Sequence, residues 1–335
     1  MNNLPLISIL IPVYNVEPFI TRCIKSVMSQ TYVGKMECVI VDDCGTDRSM
    51  KIIEQLLADY RGNIEFQILR HTHNRGLAAT RNTAVEASKG EFIVHLDSDD
   101  WIEPTMIELL VNKQRETNAD IISCNAIAHK SSGNVILEEP NYSTKEEMMC
   151  NIICRTLDHV IWRRIIRASL YKDNGIVAYE GVNIGEDHYT LPRLLFYANS
   201  YAKCDETLYH YNCINEHSYM QSCKRMSFNH SRYVNDRDSV NILLDFFMQH
   251  DKAIVGNLNK IKAALVYEYI YPMIQTRDKE AYRMLRADWN TIDYKHLKVP
   301  ALRRVLQMLT FHLKIVRVFI IICAKSIHSS LVISR

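Results

Sequence analysis

The stretch Phe92–Trp101, with the sequence FIVHLDSDDW, is a short apolar run followed at once by three aspartates within four residues. A buried strand that ends in this way delivers its carboxylates to the carboxyl edge of a sheet, where open α/β sheets bind ligands. Carboxylates this close repel one another unless a cation lies among them, and Mg²⁺ typically binds one or two protein carboxylates together with substrate phosphates. The alternative is helix capping, because a helix is predicted from Pro104. Taken alone, the stretch favours capping, and the rest of the chain favours a ligand site.

Two earlier segments, Ile7–Asn15 and Cys38–Asp43, also consist of an apolar run that ends in polar side chains. Helical periodicity follows each run, and the alternation of strands with helices of ten to fifteen residues predicts βαβ units. The carboxyl ends of parallel strands lie at one edge of their sheet, so a single site is expected to collect the three polar ends. The predicted fold class is therefore α/β with a mostly parallel central sheet.

Periodicity assigns most of the remaining elements of the first part of the chain. It predicts helices at residues 19–28, 52–60, 76–88 and 104–117, strands at 64–69, 91–96 and 121–128, and a hairpin return at 131–137.

A boundary is predicted near residue 225, and helices are predicted beyond it at 228–249, 253–276 and 301–326. The last of these is apolar but is interrupted by His312, Lys314 and Arg317, whereas a membrane-spanning helix needs roughly 20 apolar residues. Two interpretations stay open: an interfacial helix in peripheral contact with a membrane, or a helix packed on the α/β domain.

Composition excludes several classes of protein. The 40 basic and 38 acidic residues give a net charge of +2, which argues against a nucleic-acid binder. The 10 cysteines include no Cys-x-x-Cys pair, so we interpret them as buried thiols in a reducing, cytoplasmic compartment, and the first residues do not resemble a signal peptide. No Gly-x-Gly-x-x-Gly follows the first strand and no Gly-Lys-Ser/Thr occurs, which excludes a dinucleotide-binding dehydrogenase and a P-loop phosphotransferase.

The motifs, taken in order, resemble those of the family 2 glycosyltransferases, which have the GT-A fold. The resemblance covers roughly residues 5–220. Two segments depart from the family pattern: Cys44-Gly45 replaces Gly-Ser, and one glycine is missing after Asn74. The segments that carry the resemblance are Pro12–Asn15, Gln30–Tyr32, Val41–Asp47, Asn74–Asn82, Leu96–Trp101 and Gly185–Asp187.

The resemblance implies a set of nucleotide-sugar-binding residues and a divalent cation, Mg²⁺ or Mn²⁺. Asp43 would bind the nucleotide base, Arg81 a sugar or phosphate oxygen, and Asp97 the ribose or the metal. A surface position is the alternative for Arg81, and helix capping is the alternative for Asp43. The implied binding residues are Pro12, Tyr14, Asn15, Asp43, Asn74, Arg81, Asp97 and Ser98, and the implied metal ligands are Asp99, Asp97 and His217.

Asp187 is the expected catalytic base, with Glu186 as an orienting or acceptor-contacting partner. A carboxylate opposite the leaving group can take the proton of an attacking hydroxyl, and a single displacement inverts the anomeric configuration. A capped helix start is the alternative for the two acids. His188 is a candidate acceptor contact. For Trp162, core packing is favoured over stacking on a sugar.

The predicted function is therefore inverting transfer of a hexosyl or N-acetylhexosaminyl group from a nucleotide-diphosphate donor, expected to be a UDP-sugar. The acceptor would be a glycan or lipid-linked hydroxyl, as in bacterial surface polysaccharide synthesis. Residues 1–225 would form the catalytic domain and 226–335 a helical region. The alternatives are a polyprenyl-phosphate sugar synthase and a non-catalytic nucleotide- or glycan-binding module of the same fold. Location on the inner face of the membrane and oligomer formation both stay open.

Overall fold

A β-sheet with nine strands lies at the centre of the part of the chain that the computed structural model describes, namely residues 4–154, 160–183, 185–215, 229–276 and 278–292. The strands follow the order β3-β2-β1-β4-β8-β6-β9-β5, and β7 pairs with β6. They are β1 Ile7–Val13, β2 Met36–Asp42, β3 Ile64–Arg70, β4 Phe92–His95, β5 Trp101–Ile102, β6 Ile121–Lys130, β7 Gly133–Leu137, β8 Arg164–Arg167 and β9 Tyr201–Asn212.

The two halves of the sheet differ in strand direction. Strands β3, β2, β1 and β4 are all parallel, as βαβ periodicity predicts. Strand β8 is antiparallel to both β4 and β6, β9 is parallel to β6, and β5 is antiparallel to β9. The predicted hairpin is confirmed, because β6 and β7 pair in antiparallel fashion from Lys130 opposite Gly133.

Ten helices are present among the described residues, and the first four match the helices that periodicity predicts. They are α1 Glu17–Met28, α2 Ser49–Ala58, α3 Leu77–Ala87, α4 Met106–Thr117, α5 Lys145–Ile153, α6 Ala168–Lys172, α7 Glu186–Tyr197, α8 His230–His250, α9 Lys252–Thr276 and α10 Lys279–Trp289.

The core explains why the central strands read as continuous apolar runs. Every residue of β1 is buried, because helices cover both faces of the sheet. Ile9 and Ile11 belong to the same apolar cluster as Ile24 of α1 and Ile107 of α4. Helix α3 packs against β1 and β2 instead, and its buried face consists largely of alanines. Small side chains bring this helix close to the sheet, which matters for the site because α3 carries Arg81.

Parallel pairing places the ends of β1, β2 and β4 at one edge, as expected. Val13 pairs with Asp42, and Leu10 pairs with His95, two residues before Asp97. Backbone hydrogen bonds extend this alignment past the strands, from Asp43 N–H to the Val13 carbonyl. The polar ends of three strands therefore share one edge.

Grouped by contacts, the chain divides after Asn290, with one unit at Met1–Asn290 and another at Thr291–Arg335. Helix α8 belongs to the first unit because it packs against α7. The functional division into 1–225 and 226–335 stays a prediction. The predicted helix at 301–326 lies outside the described residues, and among the helices that are described none is long and apolar enough to cross a membrane.

Candidate active site

Asp43, at the end of β2, fastens the loop between β3 and α3. Its carboxylate accepts hydrogen bonds from the backbone N–H groups of Arg75 at 2.9 Å and Gly76 at 2.8 Å. Nδ1 of His71 lies 2.6 Å from the same carboxylate. Gly76 has a φ of +85°, a conformation that a side chain would disfavour. Asp43 is only 3% exposed, so its first role here is to hold the start of α3 at the sheet edge.

Asn15 joins the loop after β1 to the loop after β2. Its side-chain Oδ1 accepts hydrogen bonds from the backbone N–H groups of Thr46 at 2.7 Å and Asp47 at 3.3 Å. Asn15 and Cys44 both have positive φ values, of 51° and 62°. Cys44 therefore takes the left-handed conformation at the position where the family pattern has glycine. Its side chain is exposed, so the predicted burial of the thiols is wrong at this position. Asp47 accepts from the Ser49 N–H at 2.9 Å, in the first turn of α2.

Arg81 on α3 connects three carboxylates. Its Nη2 donates to Asp97 Oδ1 at 2.7 Å, its Nη1 donates to Asp187 Oδ1 at 2.6 Å, and Nη1 also donates to Glu186 Oε1. The side chain is only 4% exposed. The surface alternative for Arg81 is therefore wrong, and its planar guanidinium is used to bridge acids from two distant parts of the chain.

Asp99 and Asp100, at the end of the aspartate motif, have different hydrogen-bond partners. Asp99 accepts a hydrogen bond from Asn215 Nδ2 at 2.8 Å. Asp100 accepts from the Tyr209 hydroxyl at 2.8 Å and from the Asn212 N–H at 2.7 Å, which fixes the motif against β9. Burial, with Asp97 nearby, raises the pKa of Asp99 to about 6. A carboxylate destabilised in this way is one that a bound cation would stabilise.

Glu186 and Asp187 form the first turn of α7, after Gly185 with a φ of +76°. Asp187 accepts from Arg81 on one oxygen and from the Ile161 N–H at 3.3 Å on the other. Burial, followed by the charge of Asp187, raises the pKa of Glu186 to about 8. Both acids thus face Arg81, which the capping alternative does not explain.

A second set of contacts fastens α3 to the segment that leads into α7. Asn82 and Ala178 exchange two hydrogen bonds, from Asn82 Nδ2 to the carbonyl at 2.6 Å and from Ala178 N–H to Asn82 Oδ1 at 2.8 Å. The Ala78 N–H donates to Asn183 Oδ1 at 3.0 Å. Arg75 pairs with Glu180 at the surface. These contacts hold α3 against the segment that leads into α7, and they thereby help to keep Arg81 next to Asp187.

Residues 8–174 match the family model described as Glycosyl transferase family 2. The chain belongs to glycosyltransferase family 2. Among curated proteins, it is 31% identical over 197 residues to an uncharacterized glycosyltransferase, EpsJ, of Bacillus subtilis (strain 168). That alignment covers 55% of this chain and 54% of EpsJ, so the chain spans about half the length of this relative.

Two solved structures show that this family 2 chain has the GT-A fold. Staphylococcus aureus TarS 1-349 in complex with UDP-GlcNAc has a TM-score of 0.56 at 20% identity, covering 86% of this chain and 93% of that one. The mannosyltransferase PcManGT from Pyrobaculum calidifontis, in complex with GDP-Man and Mn²⁺, has a TM-score of 0.53 at 14% identity. It covers 98% of this chain and 86% of its own.

The donor set of this family 2 chain fits a hard divalent cation. Within the described residues, no three His, Cys, Asp or Glu side chains are grouped closely enough to hold a metal by themselves. Mg²⁺ and Mn²⁺ do not require such a cage, because water and substrate phosphates complete their coordination. Asp99 and Asp97 are the residues that would hold the ion. His217, the third predicted ligand, lies outside the described residues.

The predicted binding residues of the family 2 motifs fall into two groups. Arg81 and Asp97 contact each other directly, and Asp43 reaches them through the loop that it fastens to α3. Tyr14 and Asn74 are exposed at the sheet edge, and Pro12 and Ser98 are buried in the strand and the motif. The proposed roles of these residues toward a ligand stay predictions.

Two neighbours of the motifs, His188 and Trp162, are buried against other parts of the protein. His188 is fully buried, with Nδ1 3.1 Å from Ser239 Oγ and Nε2 3.2 Å from the Ile153 carbonyl, so it does not face an acceptor. Trp162 stacks on Tyr209 and Tyr211 at centroid distances of 4.4 and 5.3 Å, which agrees with the favoured core packing.

Sequence reasoning missed several residues that shape the site. Asn82 follows Arg81 in the segment Asn74–Asn82 and could have been singled out there. Asn215, Tyr209 and Asn183 carry no comparable signal, because their partners Asp99, Asp100 and Ala78 lie about a hundred residues away in the sequence.

Proposed function

We propose that this chain transfers a sugar from a nucleotide-diphosphate donor to the hydroxyl of a glycan or lipid-linked acceptor, with inversion at the anomeric carbon. The single observation that carries the proposal is the bridge formed by Arg81. The guanidinium contacts Asp97 of the Leu96–Trp101 motif at 2.7 Å and Asp187 of α7 at 2.6 Å. The Arg81 guanidinium therefore lies between the carboxylate expected on the donor side, Asp97, and the expected catalytic base, Asp187.

The donor class is supported by the structures that share the fold. TarS was solved with UDP-GlcNAc and PcManGT with GDP-Man and Mn²⁺. We infer a nucleotide-diphosphate sugar for this chain, with a UDP-sugar as the expected donor. The family match ends at residue 174, so the assignment of Asp187 rests on its geometry and on the Gly185–Asp187 motif.

The proposed reaction is a single displacement. The acceptor oxygen forms a bond to the anomeric carbon while the bond from that carbon to the diphosphate oxygen breaks. The hydroxyl proton passes to Asp187, whose oxygens each retain a lone pair beside the bonds from Arg81 and the Ile161 N–H. A divalent cation bound at Asp99 would neutralise the charge that develops on the departing diphosphate.

The remaining residues of the site orient these groups. Asp43 and the loop that it fastens set the position of α3, and α3 sets the position of Arg81. Arg81 then fixes Asp187 relative to Asp97. Such orientation can supply several kcal/mol of rate acceleration, because reacting groups held in place need no further ordering.

The proposal is tested by a screen of UDP-glucose, UDP-galactose, UDP-GlcNAc and GDP-mannose with Mg²⁺, Mn²⁺ or chelator. Release of the nucleotide diphosphate is measured with and without glycan and polyprenyl-phosphate acceptors. Metal-dependent release that increases with a glycan or lipid-linked acceptor hydroxyl, together with a β-linked product from an α-linked donor, would support the proposal. Nucleotide binding without any turnover would favour the non-catalytic module, and transfer only to polyprenyl phosphate would favour the synthase.

A further inference from the structure

Helix α8 makes a buried polar contact with the first turn of α7. Ser239 of α8 is fully buried, and its hydroxyl lies 3.1 Å from His188 Nδ1 and 3.3 Å from the Gly185 carbonyl oxygen. The other ring nitrogen of His188, Nε2, lies 3.2 Å from the Ile153 carbonyl at the end of α5. Both nitrogens of His188 therefore have partners on neighbouring helices.

The hydrogen atoms in this contact can be placed by elementary chemistry. A carbonyl oxygen only accepts, so Nε2 of His188 carries a proton and donates to Ile153. In the neutral imidazole, Nδ1 then accepts, and the Ser239 hydroxyl is its donor. A hydroxyl has a single proton, so the Gly185 carbonyl competes for the same donor. The Ser239 hydroxyl is thus shared between two acceptors at the start of α7.

The two residues that Ser239 contacts flank the two carboxylates of the site. Gly185 immediately precedes Glu186, and His188 immediately follows Asp187. Gly185 also has a left-handed backbone, with a φ of +76°, which sets the direction in which α7 begins. Any movement of this turn would move Asp187 relative to Arg81, at present 2.6 Å away.

General packing of α8 on α7 does not require this contact. At the other end of α7, Phe196 packs against Phe246 and Phe247 of α8 at centroid distances of 5.5 and 6.0 Å. Those rings hold the C-terminal end of α7 to α8 by apolar burial. The contact between Ser239, His188 and Gly185 is therefore a separate attachment, placed at the end of α7 that carries the acids.

We propose that Ser239 and His188 are positioning residues, through which α8 holds Asp187 in place for proton transfer. This inference rests on the proposed function, because it takes Asp187 as the base. The family match ends at residue 174. The inference therefore gives α8, a helix beyond that match, a role in the reaction.

The test compares Ser239→Ala with the unchanged full chain. The substitution removes one hydroxyl and adds no volume, so the fold is expected to persist. A displacement of the base lowers kcat steeply, and we expect a loss of about tenfold with the donor KM changed by less than about twofold. Calorimetry with UDP should still give about one binding site per chain. That result would show that kcat falls although the protein remains folded and binds the nucleotide.

Further variants separate positioning from stability. Ser239→Thr keeps the hydroxyl and is expected to regain most of the lost kcat. His188→Asn keeps a polar atom near the Nδ1 position but loses the contact with Ile153, and its effect should be non-additive with Ser239→Ala in a double-mutant cycle. Ser231→Ala, at an exposed position on the same helix, is the matched control and should leave kcat unchanged.

The outcomes also distinguish this inference from the proposed function. If Asp187→Asn is inactive while Ser239→Ala turns over at the normal rate, the positioning role is wrong and the base assignment stands. If Asp187→Asn retains turnover, the base assignment fails and the positioning role fails with it. A fall in the number of UDP sites that accounts for the whole loss of kcat in Ser239→Ala would show a structural role instead.

Discussion

Nη1 of Arg81 lies 2.6 Å from Oδ1 of Asp187, although the two residues are 106 positions apart in the chain. The guanidinium stays charged in proteins, so burying it requires carboxylate partners close by. Its three partners come from the end of β4 and the first turn of α7. One cation thereby couples the expected donor side of the site to the expected acceptor side.

Replacement of Arg81 should destabilise the protein strongly. Arg81→Met leaves three acidic side chains near one another without their cation, and removal of one partner of a buried ion pair typically costs about 3–5 kcal/mol. We expect a loss of this order in the free energy of unfolding, measured by urea denaturation. Arg75→Met is the matched control, since the exposed Arg75–Glu180 pair should contribute little to the free energy of unfolding. Equal effects of the two substitutions would contradict the bridging role.

Asp187→Asn should retain donor binding and lose transfer. Asparagine has the same shape as aspartate but cannot take the acceptor proton, and loss of a general base commonly lowers the rate by about 10²–10⁴-fold. Nucleotide affinity is measured by calorimetry and transfer by release of the nucleotide diphosphate. Asp173→Asn, at an exposed position after α6, serves as the control. Near-normal turnover of Asp187→Asn would place the base elsewhere.

The parallel half of the sheet could be predicted from the sequence because its strands and helices alternate regularly. The convergence of Asp43 and Asp97 at one edge followed from that topology. The antiparallel half could not be predicted in the same way, since β8 has only four residues and pairs in antiparallel fashion with strands that are distant in the sequence. Local periodicity carries no information on such pairings.

The sequence indicated which residues belong to the site better than it indicated which side chains those residues contact. Helical spacing does not say whether Arg81 faces solvent or a carboxylate, and the motif alone pointed to a substrate oxygen. His188 was expected at the acceptor because it follows Asp187. Its burial depends on α8, which begins at His230, beyond the part of the chain covered by the resemblance. Contacts between distant elements decided both cases.

Asp99→Asn should abolish the response of activity to Mn²⁺ or Mg²⁺. The neutral amide lacks the charge that attracts a hard cation, while the side chain keeps its size. Activity is measured over a metal titration and again after chelation. Asp205→Asn, at an exposed position in β9, is the control and should keep the metal dependence of the unchanged chain. Activity of the unchanged chain that is indifferent to chelator would contradict the metal role of Asp99.

Glu186→Gln should reduce the dependence of stability on pH. Burial raises the pKa of Glu186 to about 8, from an ordinary value of 4.5. Between these two values the folded chain retains a proton that the unfolded chain has released. The contribution of Glu186 to the free energy of unfolding is therefore fully present below about pH 4.5 and is lost as the pH rises toward about 8.

Glutamine is neutral at every pH. From pH 5 to pH 8, the free energy of unfolding of the unchanged chain should therefore fall steadily relative to that of Glu186→Gln. Urea denaturation at several pH values measures this difference, with chelator present so that no bound cation alters the charges. All other titrating groups are common to the two proteins, and their contributions largely cancel. Glu180→Gln is the control, because Glu180 is exposed and Arg75 lowers its pKa, so it stays ionised across this range. Parallel pH profiles for the unchanged chain and Glu186→Gln would show that Glu186 is ionised in the folded protein, with Arg81 compensating both acids of α7.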